Sequence, residues 1–166
     1  AVNFAITGTN DNPTVTASAQ TPTPLVEAGV GTVGTSTASI TLTKGDVDTG
    51  DVPVYDQAAM TSGGWTFNEG AGTYTKEGIY GTATLTVTTD AVSYVLSNID
   101  SDTNMLAGGA SASDNFTVFV KDGTTGTAST AVNFAITGTN DNPTVTASAQ
   151  TPTPLVEAGV GTVGTS

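Results

Sequence analysis

Residues 115–137, NFTVFVKDGTTGTASTAVNFAIT, alternate apolar and polar side chains on both sides of a short glycine-containing segment. Phe116, Val118 and Val120 occupy every second position, so they would point to one face of a strand. The segment DGTTG then separates this strand from a second one over 128–137. The pattern predicts an antiparallel hairpin with one face buried.

Similar signals continue along the rest of the chain. TASITLT at 37–43 places Ala38, Ile40 and Leu42 on one face, and Pro22 with Pro24 marks a sheet edge or a switch between sheets. The connection 97–112 is the longest and can hold one helical turn. Short strands without helical periodicity predict an all-β fold, an antiparallel β-sandwich. The other expected strands are 15–19, 25–29, 52–55, 79–88, 91–96 and a short one containing Trp65 and Phe67.

The sequence repeats itself. Residues 1–36 recur without a change at 131–166, a period of 130 residues. A unit of this length can bury its own core, so we expect a tandem array of separate domains. This chain would cover one complete domain and parts of its two neighbours. Many copies in tandem suit a protein whose function requires reach, spacing or multivalent binding. The expected division is a closing strand of a preceding repeat (1–8), a linker (9–13), one complete unit (14–138), a second linker (139–143) and the opening strands of a following repeat (144–166).

The composition excludes several functions. Three Lys and no Arg against 15 acidic residues give a formal charge of −12, which cannot form the basic surface that nucleic acids or anionic membranes require. The absence of His and Cys removes Ser-His and Cys-His nucleophiles, disulfides and thiolate or imidazole zinc sites. Carboxylates and carbonyl oxygens remain, and these ligands suit calcium.

The acidic residues are clustered, most clearly in GDVDTGD (45–51), NIDSD (98–102) and the two TNDNP linkers. Three lysines cannot neutralise them, so like charges would repel unless a cation joins them. Asp and Asn are also common turn formers, and a simple turn remains an alternative for TNDNP, for Asp90 and for Asp122. The candidate calcium ligands are Asn10, Asp11, Asn12, Glu27, Asp46, Asp48, Asp51, Asp100, Asp102, Asp122, Asn140, Asp141 and Asn142.

Antiparallel topology divides these residues between the two ends of the domain. The loop 44–51 and the turn 121–127 should lie beside the first linker, and 97–114 beside the second. In an array, the lower set of one domain and the upper set of the next would share each linker. The expected upper set is Asp11, Asp46, Asp48, Asp51 and Asp122, and the expected lower set is Glu27, Asp100, Asp102 and Asp141.

The unit resembles a VCBS-type repeat, the bacterial Ig-like or cadherin-like module of giant surface proteins and RTX adhesins. The resemblance rests on the segments VEAGVGTVGTSTASITLTKGDVDTGD (26–51), GIYGTATLTVTTDAVSYVLSN (78–98), DNFTVFVKDG (114–123) and AVNFAITGTNDNP (131–143). The last segment is similar to the cadherin calcium linker, which implies matching roles for Asn140–Asn142, for Asp46 and Asp48, and for Glu27. Gly138 replaces the first Asp of that linker, and NIDSD stands where an acidic-Arg-Glu motif would be. The resemblance implies an Ig-like or cadherin-like sandwich in an extracellular, calcium-stiffened region on a bacterial cell surface.

These observations predict a structural extender that projects a distal binding domain from the cell, with neighbouring identical repeats as partners. One alternative is a carbohydrate- or surface-binding module that uses Trp65, Tyr74 and Tyr80, or a Thr ladder at Thr82, Thr84, Thr86 and Thr88. Another is an extracellular fibre subunit in which end segments add strands to neighbouring chains. Asp100 and Asp102 could form an acid/base pair, but the sequence indicates no nucleophile and no pocket beside them. We therefore expect no enzyme activity.

Overall fold

Ten strands and two short helices form in the residues that the computed structural model describes, which are 1–149, 151, 154–155 and 157–161. Of the opening strands expected at 144–166, residues 150, 152–153, 156 and 162–166 lie outside the described residues. The strands are β1 (Thr14–Ala17), β2 (Leu25–Val26), β3 (Thr37–Gly45), β4 (Val54–Tyr55), β5 (Thr66–Asn68), β6 (Thr73–Glu77), β7 (Gly81–Thr86), β8 (Ala91–Leu96), β9 (Ser111–Lys121) and β10 (Thr127–Thr137). The helices are α1 (Gln57–Ser62) and α2 (Ser101–Asn104).

The strands form two sheets. One has the order β1-β3-β8-β7-β6-β5 and is antiparallel throughout. The other has the order β2-β10-β9-β4 and is antiparallel except where β2 runs parallel to β10. The expected all-β fold built from antiparallel sheets is therefore confirmed.

One hydrophobic core draws its residues from both sheets. Phe116, Val118 and Val120 are at most 2% exposed, as the alternation in β9 predicts. Tyr94 of β8 stacks on Phe134 of β10 with ring centroids 4.8 Å apart, which joins one sheet to the other. Full burial of each such large apolar side chain contributes about 1.5–3 kcal/mol to the free energy of unfolding.

The segment between β1 and β2 crosses from one sheet to the other. β1 pairs with β3, whereas β2 pairs with β10, and the two prolines lie between them, so the switch between sheets is where the sequence indicates it. Gln20 fastens this crossing, because its side chain accepts from Ala135 N at 2.7 Å and donates to Ala135 O at 3.3 Å. The amide side chain thus takes the place of a neighbouring strand at that point of β10.

Two elements carry no clear signal in the sequence. β6 has a single inward-facing aromatic, Tyr74, so its apolar alternation is too short to detect. Helix α1 is only six residues long, begins after the N-cap Asp56 and buries Met60, which is too little for a helical period to show. The one helical turn expected in 97–112 is present as α2, and β9 begins earlier than expected, at Ser111.

The two copies of AVNFAITG lie in opposite environments. At 131–138 the segment is mostly the end of β10, and its three large apolar residues are at most 1% exposed. At 1–8 the same sequence forms no strand, and Val2, Phe4 and Ile6 are 79%, 85% and 93% exposed. The difference cannot come from local sequence, so it comes from the strands that surround the second copy.

Candidate functional site

The upper pole is the end of the domain where 9–13 meets the loops 44–51 and 121–127. Asp48 N donates to Asp46 Oδ1 at 3.0 Å, and Asp11 N donates to Asp48 Oδ2 at 2.6 Å. Asn10 Nδ2 donates to Asp122 Oδ2 at 2.9 Å. The structure therefore brings the first linker against both acidic loops, as the strand directions indicate.

Asp122 combines a turn with an anchor for the linker. It is 5% exposed, and its carboxylate accepts from Thr124 N at 2.7 Å and from Gly126 N at 3.0 and 3.1 Å. The hydrogen bond from Asn10 most of all, together with these backbone donors, holds the pKa of Asp122 below its ordinary value despite burial. Because N–H donors already occupy both oxygens, Asp122 is better suited to hold the loop than to bind a metal directly.

One carboxylate oxygen of Asp46 is unsatisfied in the described part of the chain. Its Oδ2 is buried and has no hydrogen-bond partner among the described residues. Asp51 closes the same loop through its backbone, since Asp51 N donates to Asp48 O at 3.2 Å. A buried carboxylate oxygen without a donor is costly unless a cation meets it.

The lower pole is the opposite end, where 27–30, 97–110 and 139–143 meet. Glu27 is 0% exposed, and its Oε2 accepts from Thr139 N at 3.0 Å. Its Oε1 has no partner in the described part of the chain, and the same is true of Thr139 Oγ1. Val30 N donates to Asn140 O at 2.8 Å, which continues the contact into the linker. A fully buried and half-satisfied carboxylate thus lies against the start of the second linker.

The other residues that were expected at the lower pole have different structural roles. Asp100 is the N-cap of α2 and accepts from Asp102 N at 2.8 Å, while Asp102 itself is exposed. Asn98 Oδ1 accepts from Ala28 N at 2.9 Å, which ties this loop to the residue after Glu27. The linker residues Asn12, Asn140, Asp141 and Asn142 are exposed. In the described residues, no three acidic side chains converge closely enough to hold a metal.

The lysines are engaged elsewhere. Lys44 pairs with Asp90 at 2.8 Å, and Lys121 lies 4.0 Å from Asp56. Lys76 Nζ donates to Gly63 O at 2.6 Å. Within the part of the chain that the structure describes, neither ion pair involves a carboxylate of the two poles. The carboxylates of both poles therefore have no lysine partner among the described residues.

Asp114 is a buried carboxylate that the sequence reasoning left out of the site. It accepts from Ile79 N at 2.9 Å, Tyr80 N at 3.0 Å and Tyr94 Oη at 2.5 Å. A Cβ on Gly78 would collide with it. Its position could have signalled this, because it shares the inward parity of Phe116 in β9. Its oxygens are satisfied by the protein, so it stabilises the fold.

The side chains of the alternative sites are placed as follows. Trp65 is 1% exposed and donates from Nε1 to Thr117 O, and Tyr74 is 3% exposed, so neither ring can stack on a sugar. Tyr80 is half-buried. Thr82, Thr84 and Thr86 share the half-buried outer face of β7, and Thr88 lies in the turn beyond it.

No protein-family model, curated protein or solved structure matches this chain. Among the described residues, neither helix has the length and apolar character needed to cross a membrane. The resemblance to VCBS-type repeats therefore rests on the motifs quoted from the sequence.

Proposed function

We propose that the chain is an extender unit of a bacterial surface protein, an Ig-like or cadherin-like sandwich whose linkers are stiffened by calcium. The main support for the proposal is that the two copies of TNDNP are bound through different contacts. The second copy is bound by the unit before it, through Glu27 on Thr139 N and Val30 N on Asn140 O. The first copy is bound by the unit after it, through Asp122 and Asp48.

These two sets of contacts use different atoms of the same five-residue sequence. The preceding unit uses the backbone N–H of the Thr and the carbonyl of the first Asn. The following unit uses the side chain of the first Asn and the backbone N–H of the Asp. We expect one linker between two units to make all four hydrogen bonds at once, because no atom is used twice. Each contributes about 1 kcal/mol, enough together to oppose bending at the junction.

Calcium would complete this junction. Glu27 Oε1 of one unit and Asp46 Oδ2 of the next are buried oxygens without a partner among the described residues. Glu27 contacts the linker through its other oxygen, on Thr139 N, and Asp46 is tied to the linker through Asp48, which accepts from Asp11 N. Calcium takes six to eight oxygens from carboxylates, carbonyls and amides, which is the chemistry that the poles and TNDNP supply. The pole carboxylates have no lysine partner among the described residues, so a cation between units would also relieve their repulsion.

The expected gain is moderate. Extracellular calcium modules have dissociation constants of about 0.1–1 mM, and calcium at ten times that value adds about 1.4 kcal/mol per site. When calcium is removed from such sites, each domain would stay folded and the linkers would become free to bend. An extracellular location and a distal binding domain follow from the family resemblance and are part of this proposal.

Small-angle X-ray scattering on a chain of several repeats tests the proposal. The maximum dimension should fall when a chelator removes calcium and should recover when calcium is restored, while circular dichroism stays unchanged. A variant with Glu27→Gln in every unit should show the chelated dimension even in calcium. An unchanged maximum dimension on chelation would contradict the proposal.

A further inference from the structure

We infer that neighbouring units pack pole against pole through apolar side chains, in addition to the polar contacts of the linker. This packing presupposes the tandem junction proposed above, and it gives each pole a partner, the opposite pole of the next copy of the unit. Six large apolar side chains in or beside the pole loops are between 50% and 96% exposed. They are Val30, Val33, Ile99 and Met105 at the lower pole and Val47 and Val52 at the upper pole.

The lower apolar side chains belong to two loops that meet at the start of the second linker. Val30 N donates to Asn140 O at 2.8 Å. A Cβ on Gly108 would lie 3.3 Å from Asn140 N, so 97–110 contacts the same linker residue. Ala28 N donates to Asn98 Oδ1 at 2.9 Å, which ties the two loops to each other. The apolar side chains of both loops therefore flank the point where the linker leaves the unit.

The upper apolar side chains lie beside the point where the first linker enters the unit. Val47 directly precedes Asp48, whose carboxylate accepts from Asp11 N at 2.6 Å. Val52 directly follows Asp51, whose N–H donates to Asp48 O at 3.2 Å. Both valines are 75% exposed, although hydrogen bonds hold the loop that carries them.

The linker is too short to keep the two poles apart. The preceding unit holds it as far as Asn140 O, and the following unit holds it from the matching residue Asn10, through Nδ2 on Asp122. Both contacts use the first Asn of TNDNP, and an extended residue spans at most about 3.6 Å. The poles therefore face each other at contact distance when the linker makes both contacts. Apolar side chains brought together in this way gain free energy by leaving water, and the surrounding carboxylates form a polar rim that calcium neutralises.

The faces that a tandem neighbour would leave uncovered have a different composition. Within 14–138, all of which the structure describes, only Val54 and Val95 are exposed large apolar side chains inside a strand. The outer face of β7 carries Thr82, Thr84 and Thr86 instead. Exposed apolar side chains are thus concentrated where the next unit lies, which is the distribution expected of an interaction surface.

Methionine oxidation tests this packing in a chain of two complete tandem repeats in calcium. Met105 of the first unit faces a following unit, whereas Met105 of the second unit does not. Met105→Leu in one unit or the other leaves a single exposed reporter. Peroxide oxidation follows exposure, so Met105 should be oxidised at least about fivefold more slowly in the first unit than in the second. Met60 is 0% exposed and should stay unoxidised in both chains, which verifies that the units remain folded.

Val33→Ser in the first unit should remove part of this protection. Val95→Ser in the same unit is the matched control, because Val95 is exposed on the outer face of β8 and not in a pole loop. Equal oxidation of Met105 in the two units, or equal loss of protection in both valine variants, would overturn the inference.

Small-angle X-ray scattering of the same chain with and without chelator tests the calcium proposal separately. A maximum dimension that falls on chelation, together with equal oxidation in the two units, would contradict the apolar packing alone. Protection of Met105 in the first unit with an unchanged maximum dimension would support the packing and contradict the calcium proposal.

Discussion

Replacing Glu27 by Gln should have opposite effects with and without calcium. The substitution keeps the size of the side chain and an oxygen that can accept from Thr139 N, but it removes a negative charge that is fully buried. Oε1 has no donor among the described residues, so without calcium the carboxylate is a buried charge that is only half satisfied. Removing that charge should raise the free energy of unfolding in chelator.

In a chain of two complete tandem repeats with calcium, Glu27→Gln in the first unit should lose stability relative to the wild type, because the junction site needs Glu27 of one unit and the acidic loop of the next. A site with a dissociation constant near 1 mM adds about 1.4 kcal/mol at about 10 mM calcium. For a domain of this size that corresponds to a rise of about 3–6 °C in Tm. Differential scanning calorimetry in chelator and in calcium should show this rise for the wild type and its absence with Glu27→Gln in the first unit.

Glu27→Gln in the second unit of that chain is the matched control, because this residue has the same sequence neighbours but no following unit with which to share a calcium site. It should keep the wild-type rise in Tm on addition of calcium. The reasoning is refuted if Glu27→Gln in the first unit keeps the full calcium-dependent rise. It is also refuted if the variant is destabilised equally in both buffers, which would make Glu27 a purely structural acceptor.

Three further outcomes follow from the described contacts. Asp114→Ala should lower the free energy of unfolding by about 2–4 kcal/mol in urea titrations. The reason is that Tyr94 Oη and two backbone N–H groups lose a buried acceptor. The control Asp102→Ala should change the free energy of unfolding by less than about 0.5 kcal/mol. Gln20→Ala should cost about 1–2 kcal/mol in the same assay through its two hydrogen bonds to β10, and a loss near zero would show that the crossing does not need them. The pKa of Asp122 is lowered on folding, so the stability that it contributes is present above about pH 4 and is lost as the pH falls through its folded value. Asn10→Ala should reduce that acid-induced loss in unfolding curves recorded from about pH 5 to pH 2, and an identical pH dependence would argue against the linker anchor.

The sheets could be predicted well where alternation is long. β3, β8, β9 and β10 each place several apolar residues on one face, and their burial follows that pattern. β6 and α1 could not be found, since Tyr74 and Met60 are each the only buried large residue of a short element. Their positions depend on packing against distant strands, which a local pattern does not contain.

The candidate site could be predicted at the level of which loops meet. Strand direction alone places Asp11 beside Asp48, and the hydrogen bond between them agrees with that placement. The depth of individual carboxylates could not be predicted, because it depends on the surrounding backbone. Glu27 is buried, whereas its copy in the same local sequence is exposed. Asp114 similarly became a core residue through Tyr94, which is twenty positions away in the sequence.

We propose that a divalent cation joins the acidic poles of neighbouring units across TNDNP. A crystal structure of two complete tandem repeats grown in about 10 mM calcium tests it most directly. We predict anomalous difference density at the junction, about 2.3–2.6 Å from Glu27 Oε1 of the first unit and from an aspartate oxygen of the second. Ordered water or a lysine ammonium at that position, with no anomalous signal, would contradict the claim.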